Sequence, residues 1–405
     1  MIEFPKRFLW GAATSAYQVE GGNVYSDWWE WEKRANLKNQ SGAACRHYDF
    51  YNQDLDLAKS LHHNCHRLSI EWSRIEPQEG KFSSEALEHY RLVILALKER
   101  GLEPIVTLHH FTNPAWFASL GAWCNKDADK YFLRYVSKVV EVLANNVRFW
   151  VTINEPNVYA YFSYLLGFWP PQEKSLIKST RVMNTLERIH IKAYRLIRQI
   201  YKEKNLMPPK ISVAQNMQAF VPCRLSLRNK LAAYLRHKSY NLGFIDKIFR
   251  HKALDFIGVN YYSPTWVELK GWGIKNFASD VCEKDHHHLK KNSMGWDIYP
   301  QGLYDVLISI KRYKLPVFIL ENGICTEDDA LRWEFIQEHL KSVNKALLSG
   351  LEIMGFIYWS LLDNFEWDKG FSPRFGLIGI DYNTFQRTVR ESAKKFAQVC
   401  LTGKL

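Results

Sequence analysis

Apolar residues along this chain follow two alternating rhythms. Short runs such as "EPIVTLHH" (103–110), "RFWVTIN" (148–154) and "PVFILEN" (316–322) have the length and the β-branched or aromatic content of buried strands. Five more runs read the same way: "FLWGAATSA" (8–16), "CHRLSIEW" (65–72), "KISVAQN" (210–216), "LDFIGVN" (254–260) and "IMGFIYWS" (353–360). Between them, segments such as "DKYFLRYVSKVVEVLANN" and "RWEFIQEHLKSVNKALLSG" place apolar positions near a 3.6-residue period, which predicts amphipathic helices. "SEALEHYRLVILALKERG" ends on a glycine stop. No Ser/Gly-rich linker interrupts the alternation. Eight strands with intervening helices predict parallel pairing and an α/β fold, a single (β/α)8 TIM barrel over residues 1–405.

A barrel of this kind carries its chemistry where the carboxyl ends of the strands meet. The polar residues at or just beyond those ends are Gln18, Arg67, His109, Asn154, Glu155, Asn260 and Glu321, with Trp359 at the end of the last run. Taken singly, each reads as a satisfied polar group at a strand end. Taken together they put two carboxyls on different strands, Glu155 and Glu321, among amides, a histidine, an arginine and indoles. Two carboxyl groups flanking a bond are what glycosidic cleavage requires.

Composition narrows the class. Aromatic residues make up 15% of the 405, including 15 Trp, so a large core can form and rings remain for binding surfaces. Seven cysteines are scattered without a C-x-x-C pair, which suggests neither a disulfide framework nor a zinc site and fits a reducing cytoplasm. The amino terminus lacks a cleavage signal and no window is long and apolar enough for a membrane span. The expectation is a cytoplasmic protein.

The net charge of +12 is uneven, because Lys174 to Lys252 holds 18 Lys and Arg against three acids. No RNP, zinc-finger or helix-turn-helix pattern accompanies this region, so nucleic acid is not expected. It reads first as a solvated helical face, with an anionic partner as the alternative.

With these features in view, the sequence resembles glycoside hydrolase family 1, the retaining β-glycosidases, along nearly its whole length. The resemblance rests on "FLWGAATSAYQVEGG", "HRLSIEWSRIEP", "LHHFTNPAW", "TINEPN", "FIGVNYYSP", "MGWDIYPQGL", "LENG" and "YWSLLDNFEWDKGFSPRFGL", in family order. It implies Glu155 as acid/base and Glu321 as nucleophile, with Arg67, Asn260 and Tyr262 serving the nucleophile's surroundings. It further implies that Gln18, His109, Asn154, Glu366 and Trp367 bind the glycone and that Trp359 stacks beneath it. Phe375 would line the pocket and Trp296 would meet the aglycone. No metal or organic cofactor is implied, and the substrate would be a small β-glycoside without a 6-phosphate.

Two segments depart from the family pattern. "NVYSDWWEWEKRANLKNQSGAACRHY" replaces the common loop after "QVEGG", which leaves the aglycone side open to rebuilding. The connection between the fifth and sixth strands is short, consistent with either a thinned wall bearing an apolar groove or a compact rerouted loop. His286, His287 and His288 read as exposed loop residues rather than metal ligands, and His62, His63 and His66 as packing around the second strand. Transglycosylation through the same intermediate and a non-catalytic sugar-binding barrel are the competing functions, and self-association is left open.

Overall fold

A computed structural model describes residues 2–35, 37, 39–269, 281–282 and 288–405, and in it all eight predicted runs form strands. In chain order the strands are β1 (Leu9–Ala13), β2 (Cys65–Ser69), β3 (Glu103–Thr107), β4 (Phe149–Asn154), β5 (Lys210–Asn216) and β6 (Ala219–Pro222). They continue with β7 (Ile257–Asn260), β8 (Pro264–Val267), β9 (Val317–Asn322), β10 (Ile353–Trp359), β11 (Ile378–Ile380) and β12 (Arg387–Val389). Eight of them close a parallel barrel in the order β1-β10-β9-β7-β5-β4-β3-β2. The other four make two short ribbons, β6 with β8 and β11 with β12. These ribbon strands are three or four residues long, too short for hydrophobic periodicity to signal.

The barrel is a filled core. Phe149, Phe256 and Phe318 meet with ring centroids 6.0 to 6.2 Å apart, and Ile105, Val151, Leu320 and Ile357 pack in the same buried cluster. Helices cover the outside as their periodicity predicts. Helix Ala128–Leu143 buries Phe132, Tyr135, Val136, Val139, Val140 and Leu143, which lie along one face. Side-chain oxygens satisfy the first amides of several helices: Ser83 accepts from Ala86 N, Ser175 from Lys178 N, and Asp328 from Ala330 and Leu331 N.

The short connection from β5 to β7 is filled rather than open. Helix Gly243–Arg250 buries Phe244, Ile245 and Ile248, and helix Leu227–Arg236 packs over β6 and β8 through Ala232, Ala233 and Val267. The basic region divides at the same place. Along the long helix Leu176–Glu203, Arg188 and Lys192 pair with Asp129, and Arg198 pairs with Asp255. Lys178 and Lys247 likewise pair with Glu173 and Glu187. Much of this stretch is therefore the solvated, paired face that the sequence first suggests.

The two ends of the chain are joined by a buried ion pair. Arg387 on β12 donates to Asp54 from Nε at 2.8 Å and from Nη2 at 3.1 Å, and Nη2 also reaches the Cys45 carbonyl at 2.8 Å. His47 Nδ1 lies 2.7 Å from Asp54, and together these groups hold the Asp54 carboxyl below its ordinary range despite its burial. Removing one member of a buried pair leaves an uncompensated charge. Arg387→Met should therefore lower the free energy of unfolding by about 3 kcal/mol, read as a shifted denaturant midpoint, with the wild-type loss of stability appearing only at acid pH as Asp54 is protonated.

Candidate active site

Glu155 directly follows β4 and takes a left-handed conformation, φ 43°, before Pro156 starts a short helix. That turn ends the strand and anchors the residue, whose amide donates to Ala214 O at 2.7 Å. Its Oε1 accepts from Asn216 Nδ2 at 3.0 Å and from Asn260 Nδ2 at 2.9 Å. Glu321 lies within β9, in register with Asn260 on β7. Arg67 Nη1 donates to its Oε1, and Tyr262 OH donates to its Oε2 at 2.6 Å.

Asn154 connects the two carboxyls. Its Oδ1 accepts from Arg67 Nη2 at 2.7 Å and from Asn260 Nδ2 at 3.1 Å. Arg67 is fixed further by Thr107 Oγ1 at 3.1 Å and Leu320 O at 3.3 Å. Burial pushes the Glu155 carboxyl up to about 8, and the negative charge of Glu321 adds to the rise against the opposing amide hydrogen bonds. The arrangement thus supplies a proton donor beside a carboxylate held by an arginine.

A polar wall stands next to this pair. Gln18 Nε2 has three acceptors within reach, Asn364 Oδ1 at 3.0 Å, Phe365 O at 2.9 Å and Glu366 Oε2 at 3.2 Å, for its two hydrogens. Gln18 Oε1 and Asn260 Oδ1 are buried without a protein partner, so both can accept from a ligand hydroxyl. Desolvation, then the charge of Glu321, raises Glu366 to about 8. Trp359 is buried at the end of β10, and Trp367 lies parallel to Tyr17 at 6.0 Å. Tyr262, Trp296 and Phe375 form a triangle of rings with centroids 6.0 to 6.3 Å apart.

One residue expected in the pocket is displaced by its neighbour. His109 points Nε2 to Asn113 Oδ1 at 3.2 Å and packs edge-on against Trp123 and Tyr159, one layer behind the polar wall. His110 takes its place: its ring stacks against Trp359 at 5.9 Å and Trp367 at 6.1 Å, and Nε2 lies 3.1 Å from Asn154 Nδ2. Adjacent residues at a strand end face opposite ways, so an error of one position exchanges inside for outside. Asn216 was also missed, although it ends the fifth run in the way the other candidates end theirs.

The glycine of "LENG" has a packing cause. A Cβ on Gly323 would lie 1.9 Å from the Trp359 carbonyl oxygen, so only glycine lets β9 leave the barrel against β10. From the tryptophan-rich segment, Trp28 and Trp31 are buried behind the wall, and Trp28 packs 4.7 Å from Trp367. His63 and His66 are buried by the second strand, where His66 Nε2 meets Thr14 Oγ1 at 3.1 Å.

Away from the carboxyl pair, Cys223, Glu268 and Cys282 bring three potential metal-ligand atoms within 4.8 Å of one another. Their wide separation in sequence leaves no spacing motif, and burial with the neighbouring Cys282 pushes the Cys223 thiol up to about 12. His286 and His287 lie outside the described residues, and His288 is exposed.

A closed parallel barrel presenting two carboxyls, an arginine and amides at its strand ends defines a carbohydrate-cleaving enzyme. The family model for glycosyl hydrolase family 1 matches residues 1–251 and 245–404, and the chain belongs to that family. It is an O-glycosyl hydrolase of the retaining β-glycosidase type. The 1,4-beta-D-glucan glucohydrolase of Thermotoga neapolitana is 30% identical, over 98% of this chain and 98% of its own. Among solved structures, a beta-glycosidase from Pyrococcus horikoshii is 38% identical with TM-score 0.91, covering 100% of this chain and 96% of that one. A beta-glucosidase from Thermotoga maritima in complex with glucoimidazole is 29% identical with TM-score 0.91, over 100% of both chains.

The raised carboxyls carry a stability consequence. Glu155 and Glu366, both at about 8 in the folded protein, hold protons between pH 5 and 8 that the unfolded chain has released. Stability contributed in this way is full below about pH 4.5 and is lost as pH rises towards 8, with a slope of up to about 1.4 kcal/mol per pH unit for each proton retained. Glu155→Gln should be more stable than wild type at pH 8 and little changed at pH 5, and urea unfolding across this range would check it.

Proposed function

We propose that the protein is an exo-acting enzyme on terminal β-D-glucosides or β-D-galactosides, with Glu321 as nucleophile and Glu155 as acid/base. The observation that carries the reading is the opposite environment of the two carboxyls: Glu321 is held by Arg67 and Tyr262, while Glu155 is held protonated. In the first displacement a carboxylate oxygen of Glu321 bonds to the anomeric carbon as Glu155 passes its proton to the departing glycosidic oxygen. Forming the ester removes the negative charge that helps raise Glu155. Its proton affinity falls, so it can take a proton from water, whose oxygen then displaces Glu321 from the same face as the original aglycone. Asn154, aligned by Arg67 and His110, is placed to bond the 2-hydroxyl, where a contact that tightens in the transition state lowers the barrier.

Gln18 Oε1 and Glu366 supply acceptors for the other hydroxyls, Trp359 a stacking face, and Trp296 with Phe375 and Tyr262 an aromatic lip for the aglycone. We read residues 1–405 as one catalytic domain, and place it in the cytoplasm because its seven cysteines are unbridged thiols. Hydrolysis is favoured over transglycosylation by the likeness to a glucohydrolase.

The first test is proton NMR of product from an aryl β-glucoside and the matching β-galactoside. The β-anomer should appear before mutarotation; an α-anomer would refute the double displacement, and the relative rates rank the two sugars. The roles themselves are separated by azide. Glu321→Ala should lose turnover and, with azide, form the α-glycosyl azide. Glu155→Ala should slow substrates with poor leaving groups by about 10²–10⁴-fold, spare those with good ones, and form the β-glycosyl azide. The basic limb of kcat/KM should fall near pH 8, where Glu155 loses its proton. With Glu366 rather than a cation facing the sugar's far end, a 6-phosphoglucoside should be cleaved at least about 100-fold less efficiently than the unphosphorylated sugar.

A further inference from the structure

One side chain of the short β5–β7 connection reaches back to Glu155. Helix Leu227–Arg236 runs into a π-helical turn over His237–Leu242 before helix Gly243–Arg250 begins. A wide turn of this kind takes carbonyls out of the regular helical ladder. The carbonyl of Tyr240 accepts from Gln215 Nε2 at 3.0 Å and from Asn157 Nδ2 at 3.3 Å, and its ring packs edge-on against Phe220 with centroids 5.7 Å apart. Tyr240 is thereby tied to β5, to the first turn after Glu155 and to β6.

From this anchored position its hydroxyl enters the site. Tyr240 OH donates to Asn216 Oδ1 at 3.1 Å, and Asn216 Nδ2 donates to Glu155 Oε1 at 3.0 Å. Asn260 Nδ2 donates to the same oxygen at 2.9 Å, and among the described residues no hydrogen bond reaches Oε2. The two oxygens of the acid are therefore unequal. Oε1 already accepts two N–H bonds and is a poor seat for a proton, so the hydrogen of the protonated carboxyl belongs on Oε2, the oxygen left for a ligand. Asn216 contributes to this only with its nitrogen towards Glu155, and the two ends of an amide are nearly the same size. A phenol donates more readily than it accepts, because its oxygen lone pair is shared with the ring. Burial, with the charge of Glu155 adding, raises Tyr240 well above its ordinary range, so it keeps its hydrogen through mildly alkaline pH.

We propose that Tyr240 is a positioning residue for proton transfer: it holds the Asn216 amide with Nδ2 towards Glu155 Oε1, and so keeps the transferable hydrogen on Oε2. The inference rests on Glu155 as the acid/base. Other ionisable groups that act on Glu155 come from elsewhere in the barrel: Glu321 from β9, Arg67 from β2, Tyr262 from beyond β7 and Glu366 from near the end of the chain. None of them bonds Tyr240 or Asn216, whose side chains meet each other and Glu155. Removing the Tyr240 hydroxyl therefore leaves those charges in place and frees the amide alone.

Tyr240→Phe makes that change and keeps the ring on Phe220. Carbon-13 NMR of glutamate-labelled protein follows the Glu155 carboxyl, identified by its loss in Glu155→Gln. Because the Asn216 bond opposes the rise in Glu155, Tyr240→Phe should move the carboxyl's titration midpoint up by about one pH unit. Asn216→Ala should do the same, and the double variant should move it no further than Asn216→Ala alone. A midpoint unmoved in Tyr240→Phe, or shifts that add in the double variant, would overturn the proposal. Kinetics on aryl β-glucosides test the reading beneath it: the basic limb of kcat/KM should follow the NMR midpoint in Tyr240→Phe, and poor leaving groups should lose about tenfold more than good ones. A midpoint that moves while the basic limb stays would instead remove Glu155 as the acid.

Discussion

A carboxylate sealed inside a protein is costly unless a cation is locked against it, and here Arg67 is that cation. Both members of the Arg67–Glu321 pair are almost fully buried, so neither charge can be relieved by water and each is tolerated only because the other is fixed in place. Arg67 is held in turn by Thr107, Asn154 and the Leu320 carbonyl, groups belonging to β3, β4 and β9. The closed barrel is what lets one guanidinium collect partners from strands that lie far apart in sequence. Every other feature of the site takes its electrostatics from this pair: the charge it fixes on Glu321 helps keep protons on Glu155 and Glu366.

The amides do the distributing. Asn154 and Asn260 each touch both halves of the site, Asn154 by accepting from Arg67 and Asn260, and Asn260 by donating to Glu155 from a position in register with Glu321. An amide can serve there because it donates and accepts without changing charge. A carboxylate at either position would add a third negative group to a dry pocket, and a lysine would compete with Arg67 for Glu321. The neutral residues thus let the two acids hold different protonation states a short way apart.

Much of this was legible in the sequence because parallel strands buried on both faces read as short continuous apolar runs, and eight such runs fix a barrel with few alternatives. Once the barrel is accepted, strand ends become the site, which is how Arg67, Asn154, Glu155, Asn260 and Glu321 emerge together. The failures have physical causes. His109 and His110 are adjacent, and no periodicity at the end of a strand tells which one points inward; only the rings of Trp359 and Trp367 stacking on His110 decide it. The ribbons β6–β8 and β11–β12 are too short to leave a pattern, and Cys223 and Cys282 meet only because β8 and its neighbour fold back on β6. Which way helix Leu227–Arg236 faces is likewise not fixed by its pattern, since periodicity reports which residues share a face and not what that face meets.

The division of labour between floor and rim follows from how each is built. The floor stands on barrel strands packed over the Phe149–Phe256–Phe318 cluster, and the polar wall beside it joins Gln18 from the start of the chain to Glu366 from its end. Ion pairing of Arg387 with Asp54 holds those ends together, so the wall's geometry depends on closure of the whole fold. The aromatic lip is built differently at Trp296, which lies outside the strands with its ring beside those of Tyr262 and Phe375, and the neighbouring β6–β8 ribbon is four residues deep. A displacement of Trp296 leaves the hydrogen bonds of the two reacting carboxyls in place, whereas one in the wall shifts Glu366 and, through Gln18, the residues beyond β1. The geometry of the polar wall is therefore tied to closure of the barrel, whereas the position of Trp296 is set locally at the rim by Asn292.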